Sequence, residues 1–340
     1  MTDFDPTRPF VVVRAHGPDF AAPGIEPLKG AVVALGNFDG LHRGHAQLIA
    51  AARARARALG RPAAAVTFEP HPRAFFRPDE PLFRLTDERN KLRLFAATGL
   101  DGAVVMTFDA ALASLDADAF VDRILVGRLA VAGVVVGYNF YFGRNRVGSP
   151  AYLAAEGARR GFAVDIVPVF TRAGRPVSSG PIREALAVGD VAAAADLLGY
   201  PWFVTGTVLH GDKRGRALGY PTANLALDPA CRLRHGVYAV RVGVGHKRYD
   251  GVASFGVRPM FATPAPLLEA FLFDFSGDLY DQTIDVAFIA WIREEEKFPT
   301  VEALIAQMNE DSRLARAALA RAGDAFPPLG RIGGMAPPSS

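Results

Sequence analysis

The sequence predicts two domains of different class. The first is a parallel α/β sheet covered by helices on both faces; the second is an antiparallel sheet or small barrel ending in an α-helix. Three observations predict this. Between residues 31 and 169 apolar runs alternate with helix-forming stretches, and strands apolar along their whole length belong to sheets buried on both faces. After Trp202 the texture changes to short alternating segments separated by glycine-bearing turns. At 340 residues the chain also exceeds what one hydrophobic core comfortably serves.

Residues 1–29 are taken as an N-terminal extension and 30–180 as the first domain. Its strands are expected at 31–36, 63–68, 102–108, 132–137 and 163–170, with helices at 46–59, 87–98, 118–129 and 150–160. The alanine-rich stretch 46–59 has high intrinsic helix propensity. A helical linker, 181–200, leads to the second domain at 201–323. Strands are expected there at 203–210, 237–244, 248–255, 267–275 and 282–292. The last helix starts after Thr300 as N-cap and carries Val301, Leu304, Ile305 and Met308 on one face. From 324 to 340 the Pro- and Gly-rich tail is expected to be disordered.

Composition narrows the function classes. Thirty-eight basic and 35 acidic residues leave a formal charge of +3, too slight a balance to argue for nucleic acid. The arginines at 53, 55, 57 and 61 read as a solvated helix rather than a binding patch, since Arg53 and Arg57 share a face and Arg55 points elsewhere. The single cysteine, Cys231, excludes an internal disulfide and fits a reducing compartment. No signal peptide is expected at the N-terminus, and the most apolar run, near 129–137, is far shorter than a membrane span. A cytoplasmic protein with neither nucleic acid nor membrane as partner is expected, and no oligomeric state is assigned.

The most informative stretch is Gly36-Asn37-Phe38-Asp39-Gly40-Leu41-His42-Arg43-Gly44-His45. It joins a buried strand to a helix, so its glycines permit a sharp turn and close approach of a ligand. The helix start offers unpaired N–H groups and a positive dipole end to an anion, and two imidazoles add donors. The plainer account is a glycine-rich turn with structural histidines. Three more clusters are expected to converge on it. Thr67-Phe68-Glu69-Pro70-His71-Pro72 follows the second strand, its prolines holding an extended loop. Gly137-Tyr138-Asn139-Phe140-Tyr141-Phe142-Gly143 follows the fourth, with aromatics for a flat ring or for a loop core. Ser178-Ser179-Gly180-Pro181-Ile182-Arg183 puts two hydroxyls ahead of a helix with Pro181 at an N1-like position, a cap that equally suits phosphate.

The second domain opens on His210-Gly211-Asp212-Lys213-Arg214-Gly215-Arg216-Ala217-Leu218-Gly219-Tyr220-Pro221-Thr222-Ala223-Asn224. A loop rich in glycine and base, followed by two short oxygen-bearing side chains, suits nucleotide phosphates and a hard cation. On its own, Pro-Thr-Ala-Asn passes as a turn.

The first stretch resembles the H-x-G-H signature of the nucleotidyltransferase superfamily. In particular it is similar to the N-terminal module of bacterial bifunctional riboflavin kinase/FAD synthetases. Residues 67–72 resemble that family's T-F-D/E-P-H-P, and 136–143 its V-G-x-D/N-F-x-F-G. Residues 178–183 resemble S-S-T-x-I-R, with a departure at Gly180, where Ser or Thr is usual. Residues 210–224 resemble H-G-x-x-R-G-R-x-L-G-F-P-T-A-N, with Tyr220 for Phe. Further along, 251–259, Leu268-Glu269 and 278–280 also fit, Met260 standing where Thr is common. Residues 293–298 fit as well and are read as a structural charged edge. The motifs follow the family's order over roughly residues 30 to 320.

The resemblance implies a Rossmann-like α/β nucleotidyltransferase domain followed by an antiparallel β-barrel riboflavin kinase domain with a C-terminal helix. It implies that riboflavin and ATP give FMN, and that FMN and ATP give FAD and pyrophosphate. His42 and His45, with Gly36, Phe38, Asp39, Gly44 and Asn139, are then expected to hold the nucleotide. Ser178, Ser179 and Arg183 are expected on the departing phosphates. Gly211, Lys213, Gly215, Pro221 and Arg258 are expected in the kinase binding site, Thr222 and Asn224 as Mg2+ ligands, and Glu269 as base. Other adenylyltransferases lack a P-T-A-N barrel, and a class I aminoacyl-tRNA synthetase is disfavoured by the short chain. The alternative of another class is a flavin-binding regulator with one or both activities lost.

Overall fold

The computed structural model describes residues 9–210, 220–258 and 265–332, without the side chains of Arg258 and Ala265. Gly211, Lys213, Gly215, Met260 and the Arg258 side chain therefore lie outside the described residues. The chain divides into two compact units. One comprises residues 1–82, 86–177 and 328–340, the other residues 83–85 and 178–327.

The first unit is built on six parallel strands: β1 (Val11–Ala15), β2 (Val32–Leu35), β3 (Ala63–Glu69), β4 (Gly102–Thr107), β5 (Gly133–Gly137) and β6 (Ala163–Val167), in the order β1-β4-β3-β2-β5-β6. Every residue of β2 is buried, as an apolar run inside a covered sheet requires. Helices α1 (Arg43–Leu59), α2 (Pro72–Phe76), α3 (Glu88–Ala96), α4 (Ala110–Ser114), α5 (Ala117–Ala119) and α6 (Pro150–Arg160) connect them. The helix expected at 118–129 is a short α5 that runs into a π-helix, Phe120–Arg128.

Two expectations need correcting here. Residues 11–15 do not belong to a mere extension but form the edge strand β1, pairing in register from Val11 with Gly102. Gly102 admits that strand, since a Cβ there would lie 2.4 Å from the Val11 carbonyl oxygen. The loop after β3 is not extended. It turns into α2 at Pro72, a helical start at which proline loses nothing because the first N–H groups have no partner anyway. The Arg55 guanidinium, still partly exposed, grips Asp165 of β6 through two hydrogen bonds.

The second unit holds α7 (Ser179–Ala187) and α8 (Val191–Leu198), then six antiparallel strands. These are β9 (Phe203–Thr207), β10 (Thr222–Ala226), β11 (Gly236–Val244), β12 (Lys247–Arg258), β13 (Ala265–Leu272) and β14 (Thr283–Arg293), in the order β10-β13-β12-β11-β14-β9, counting past the small β-hairpin Thr171–Arg172/Arg175–Pro176 (β7 and β8) of the first unit. A bridge between Leu209 and Asn224 brings the two edges together and closes the barrel. The sequence reading has a loop where β10 stands.

Helix α9 (Val301–Arg321) starts at the expected cap, with the Thr300 hydroxyl accepting from the Ala303 N–H at 3.2 Å. Its buried stripe differs from the expected one. Val301 is 51% exposed, and the buried positions are Asp311, Ala315 and Leu319, one turn apart. Arg293 fixes this face by a bidentate pair with Asp311, both bonds 2.7 Å. The chain after α9 is anchored within the second unit as far as Phe326. Arg241 donates to the Gly323 and Ala325 carbonyls, and Arg248 covers the Phe326 ring.

Candidate active sites

In the first unit the carboxyl ends of β3, β2 and β5 lie side by side, the edge where parallel sheets bind ligands. The loop after β2 carries three residues at positive φ: Phe38 at 53°, Gly40 at 80° and Leu41 at 36°. His42 then caps α1, its Nδ1 accepting from the His45 N–H at 3.3 Å. The His42 and His45 rings stack at 3.7 Å, and His45 rests on Phe38 at 5.1 Å. The glycines keep this packing close. A Cβ on Gly44 would lie 3.1 Å from the His42 ring, and one on Gly36 3.3 Å from the Phe38 ring.

Both imidazoles are neutral. Burial pulls the His42 pKa down to about 4, against a weaker upward effect of its backbone hydrogen bond. Burial, then the neighbouring His42 and Lys91, keep His45 well below the ordinary range. An Nδ1 that accepts from an N–H cannot carry a proton, so His42 holds its proton on Nε2, the nitrogen left for an anion. The Nδ1 of His45 is buried with no hydrogen-bond partner.

Asp39 is buried in the loop. Its Oδ1 accepts from the Thr86 N–H at 3.2 Å while the Gly40 N–H donates to the Thr86 hydroxyl at 3.1 Å, which ties the loop down. His71 caps the five-residue α2, its Nδ1 accepting from the Arg73 N–H. Glu69 accepts from Lys91, a fully buried lysine of α3 that motif reading missed. Its only sequence signal is a lysine within the apolar stretch Lys91-Leu92-Arg93-Leu94-Phe95.

Asn139 stands exposed just past β5. Of the aromatics beside it, Phe142 is core, packed on Phe120 and Phe140, while Tyr138 and Tyr141 are exposed. Sequence reading also missed Phe75, Phe76 and Phe108, an edge-to-face cluster past β3 and β4 in which Phe76 is 63% exposed.

In the second unit Ser178 occupies the N-cap position of α7 without a side-chain cap bond, and the helix begins at Ser179. Pro181 is therefore the third helical residue rather than the first, still within the turn whose N–H groups lack partners. Arg183 donates through Nε to the Phe83 carbonyl at 2.6 Å.

The barrel brings the kinase candidates together. Thr222 and Asn224 are alternate residues of β10 and share a face, their side-chain oxygens 3.5 Å apart. Asn224 pairs in register with Glu269 of β13, and Glu269 with Ser254 of β12, which sets the three side chains in a row across the sheet. Glu295 joins the row, accepting from the Ser254 hydroxyl at 3.1 Å. Its carboxylate lies over Gly256, where any Cβ would collide with it. Within 293–298, Arg293 pairs with Asp311 and Glu295 with Ser254. Pro221 immediately precedes β10.

A nucleotide-binding parallel sheet with a histidine pair at its strand ends, joined in one chain to a barrel with a Thr-Asn-Glu row, defines a nucleotidyltransferase fused to a kinase. The family model described as FAD synthetase matches residues 25–181, and that described as riboflavin kinase matches 198–319. The bifunctional riboflavin kinase/FMN adenylyltransferase of Pseudomonas fluorescens is 43% identical over 290 residues, covering 85% of this chain and 93% of that protein. Its counterpart in Escherichia coli K12 is 39% identical over 291 residues with the same coverage. A crystal structure described as a macrolide-efflux protein from Streptococcus pneumoniae superposes with a TM-score of 0.80 at 30% identity, over 90% of this chain and 99% of that one. The chain belongs to the bifunctional riboflavin kinase/FMN adenylyltransferase family. It phosphorylates riboflavin to FMN and adenylylates FMN to FAD, with ATP as the donor in both steps.

Proposed function

We propose a division of labour between the residues of the two sites. In the first unit His42 Nε2–H, His45 and the N-terminus of α1 hold the ATP triphosphate. An FMN phosphate oxygen attacks the α-phosphorus in line, the bond to the β-phosphate oxygen breaks, and pyrophosphate leaves. The 178–183 motif supports Ser178, Ser179 and Arg183 as phosphate ligands, and the Ser178 hydroxyl is not spent on its own helix. Exposed Phe75 and Phe76 offer a flat apolar surface suited to the isoalloxazine ring.

In the second unit Glu269 takes the proton of the ribityl 5′-hydroxyl as that oxygen attacks the γ-phosphorus, and ADP leaves. Mg2+ fits this site: Thr222 and Asn224, two hard oxygen donors on one face, would hold it. When bound, it neutralises charge building on the transferred phosphoryl group. The row Asn224–Glu269 is the observation that carries this reading. No described helix is long and apolar enough to cross a membrane. A cytoplasmic location, with no nucleic-acid partner, is supported by the single cysteine and the near-balanced charge.

The test is phosphorylation of riboflavin by Glu269→Gln and Asn224→Ala at graded Mg2+. Glu269→Gln should lower kcat at least about a hundredfold at any Mg2+ concentration. Asn224→Ala should instead raise the Mg2+ concentration needed for half-maximal rate. A wild-type rate from Glu269→Gln would sink the assignment of the base.

A further inference from the structure

Beneath the histidine pair lies a buried cation that phosphate binding does not use. Lys91 is 1% exposed; its Nζ donates to Glu69 Oε1 at 2.7 Å and to Thr67 Oγ1 at 3.2 Å. The Thr67 hydroxyl, itself fully buried, donates in turn to the Asn37 carbonyl at 3.2 Å. Burying an ammonium is costly unless it is paired and hydrogen-bonded, and an apolar side chain would fill such a place without that cost. A hydrogen-bond chain that starts on a charge polarises each following link, so the Thr67 hydroxyl is a stronger donor for being bonded to Lys91.

The end of the chain is informative. The Asn37 carbonyl belongs to the peptide leading into Phe38, a bulky residue at φ 53°. Such a backbone persists only where its surroundings over-determine it. Here they do. The Phe38 ring packs on Phe95, one turn beyond Lys91 on α3, and on His45, both at 5.1 Å. Thr86, just ahead of the Asp87 cap of α3, holds Asp39 and Gly40. One short segment, residues 86–95, thus grips the β2–α1 loop through Thr86, Lys91 and Phe95.

We propose that Lys91, paired with Glu69 and acting through Thr67, is a positioning residue for adenylyl transfer: it fixes the Asn37–Phe38 peptide and, through the Phe38 ring, the place of His45. The inference rests on the reading of His42 and His45 as the holders of the triphosphate. Lys91 touches no substrate in this scheme, so its loss misplaces the reacting groups rather than removing a binding contact. Misplacement of this kind shows in kcat.

The test uses the full chain with Thr67→Val, Thr67→Ser and Lys91→Met, following FMN adenylylation, riboflavin phosphorylation and melting temperature. Thr67→Val and Lys91→Met should lower kcat for FAD formation by about ten- to a hundredfold, with KM for ATP and FMN within about twofold. Riboflavin phosphorylation should be unchanged. Thr67→Ser, which loses the packing methyl and keeps the hydroxyl, should restore the adenylylation rate. Should Lys91→Met fail to fold, the two Thr67 variants carry the test. A wild-type kcat in Thr67→Val, an equal loss in Thr67→Ser, or a loss confined to KM would overturn the proposal. His45→Ala, run alongside, separates the two levels. FAD formation surviving in His45→Ala overturns the reading of the histidine pair itself; its loss there beside a normal Thr67→Val overturns the positioning role alone.

Discussion

His42 caps α1 through Nδ1, and burial of its ring sets its charge and its pH response. The unfolded chain protonates this histidine near 6.5, the folded protein only near 4. Between these values the unfolded state binds more protons, so stability is full above about pH 6.5 and falls as pH drops through the window. The loss from this one residue is about 3 kcal/mol. His42→Asn keeps a good cap acceptor without the titration. Its melting temperature should therefore fall less steeply than that of the wild type between pH 6.5 and 4.5, as differential scanning calorimetry would show. Equal slopes would mean that His42 is not the titrating group. Gly180 gives a second prediction at this scale. A Cβ there would meet only the Ser178 hydroxyl, at 3.9 Å, so nothing in the packing demands glycine. Gly180→Thr should be accepted, should stabilise α7 by up to about 0.5 kcal/mol, and should lower KM for ATP in FAD formation if the added hydroxyl reaches a phosphate.

At the scale of elements, α9 is held by the Arg293–Asp311 pair, with Asp311 almost fully buried. Removing one partner of a buried pair leaves the other charge uncompensated, so Asp311→Ala should destabilise the barrel unit by about 3 kcal/mol. In urea unfolding the midpoint for riboflavin phosphorylation should drop accordingly. This helix also shows where pattern reading ends. Thr300 was readable because a cap is local, whereas the buried stripe depends on Arg293 reaching across from β14. The parallel strands and their helices were legible for a similar local reason: a strand buried on both faces is apolar at every position. Edge strand β1 was not, because three valines gain meaning only beside β4. Likewise β10 reads as a turn until Asn224 is paired with Glu269 across 45 residues of sequence.

For the molecule as a whole, the sequence marks both sites through short contiguous motifs, and contiguity is what made them legible. His42 and His45 sit on one turn of one helix, and Thr222 and Asn224 on one face of one strand. Lys91, Thr86 and Glu295 were hidden because each acts on a partner far along the chain, with ordinary residues on either side. The central claim is that one chain carries two separable activities, each resting on its own residues. Product chromatography after incubation with ATP and Mg2+ tests it most directly. Wild type should convert riboflavin to FMN and FAD. His45→Ala should stop at FMN, while Glu269→Ala should leave riboflavin untouched yet still turn supplied FMN into FAD. If both activities fell together in either variant, with the protein still folded, the account of two independent sites would be contradicted.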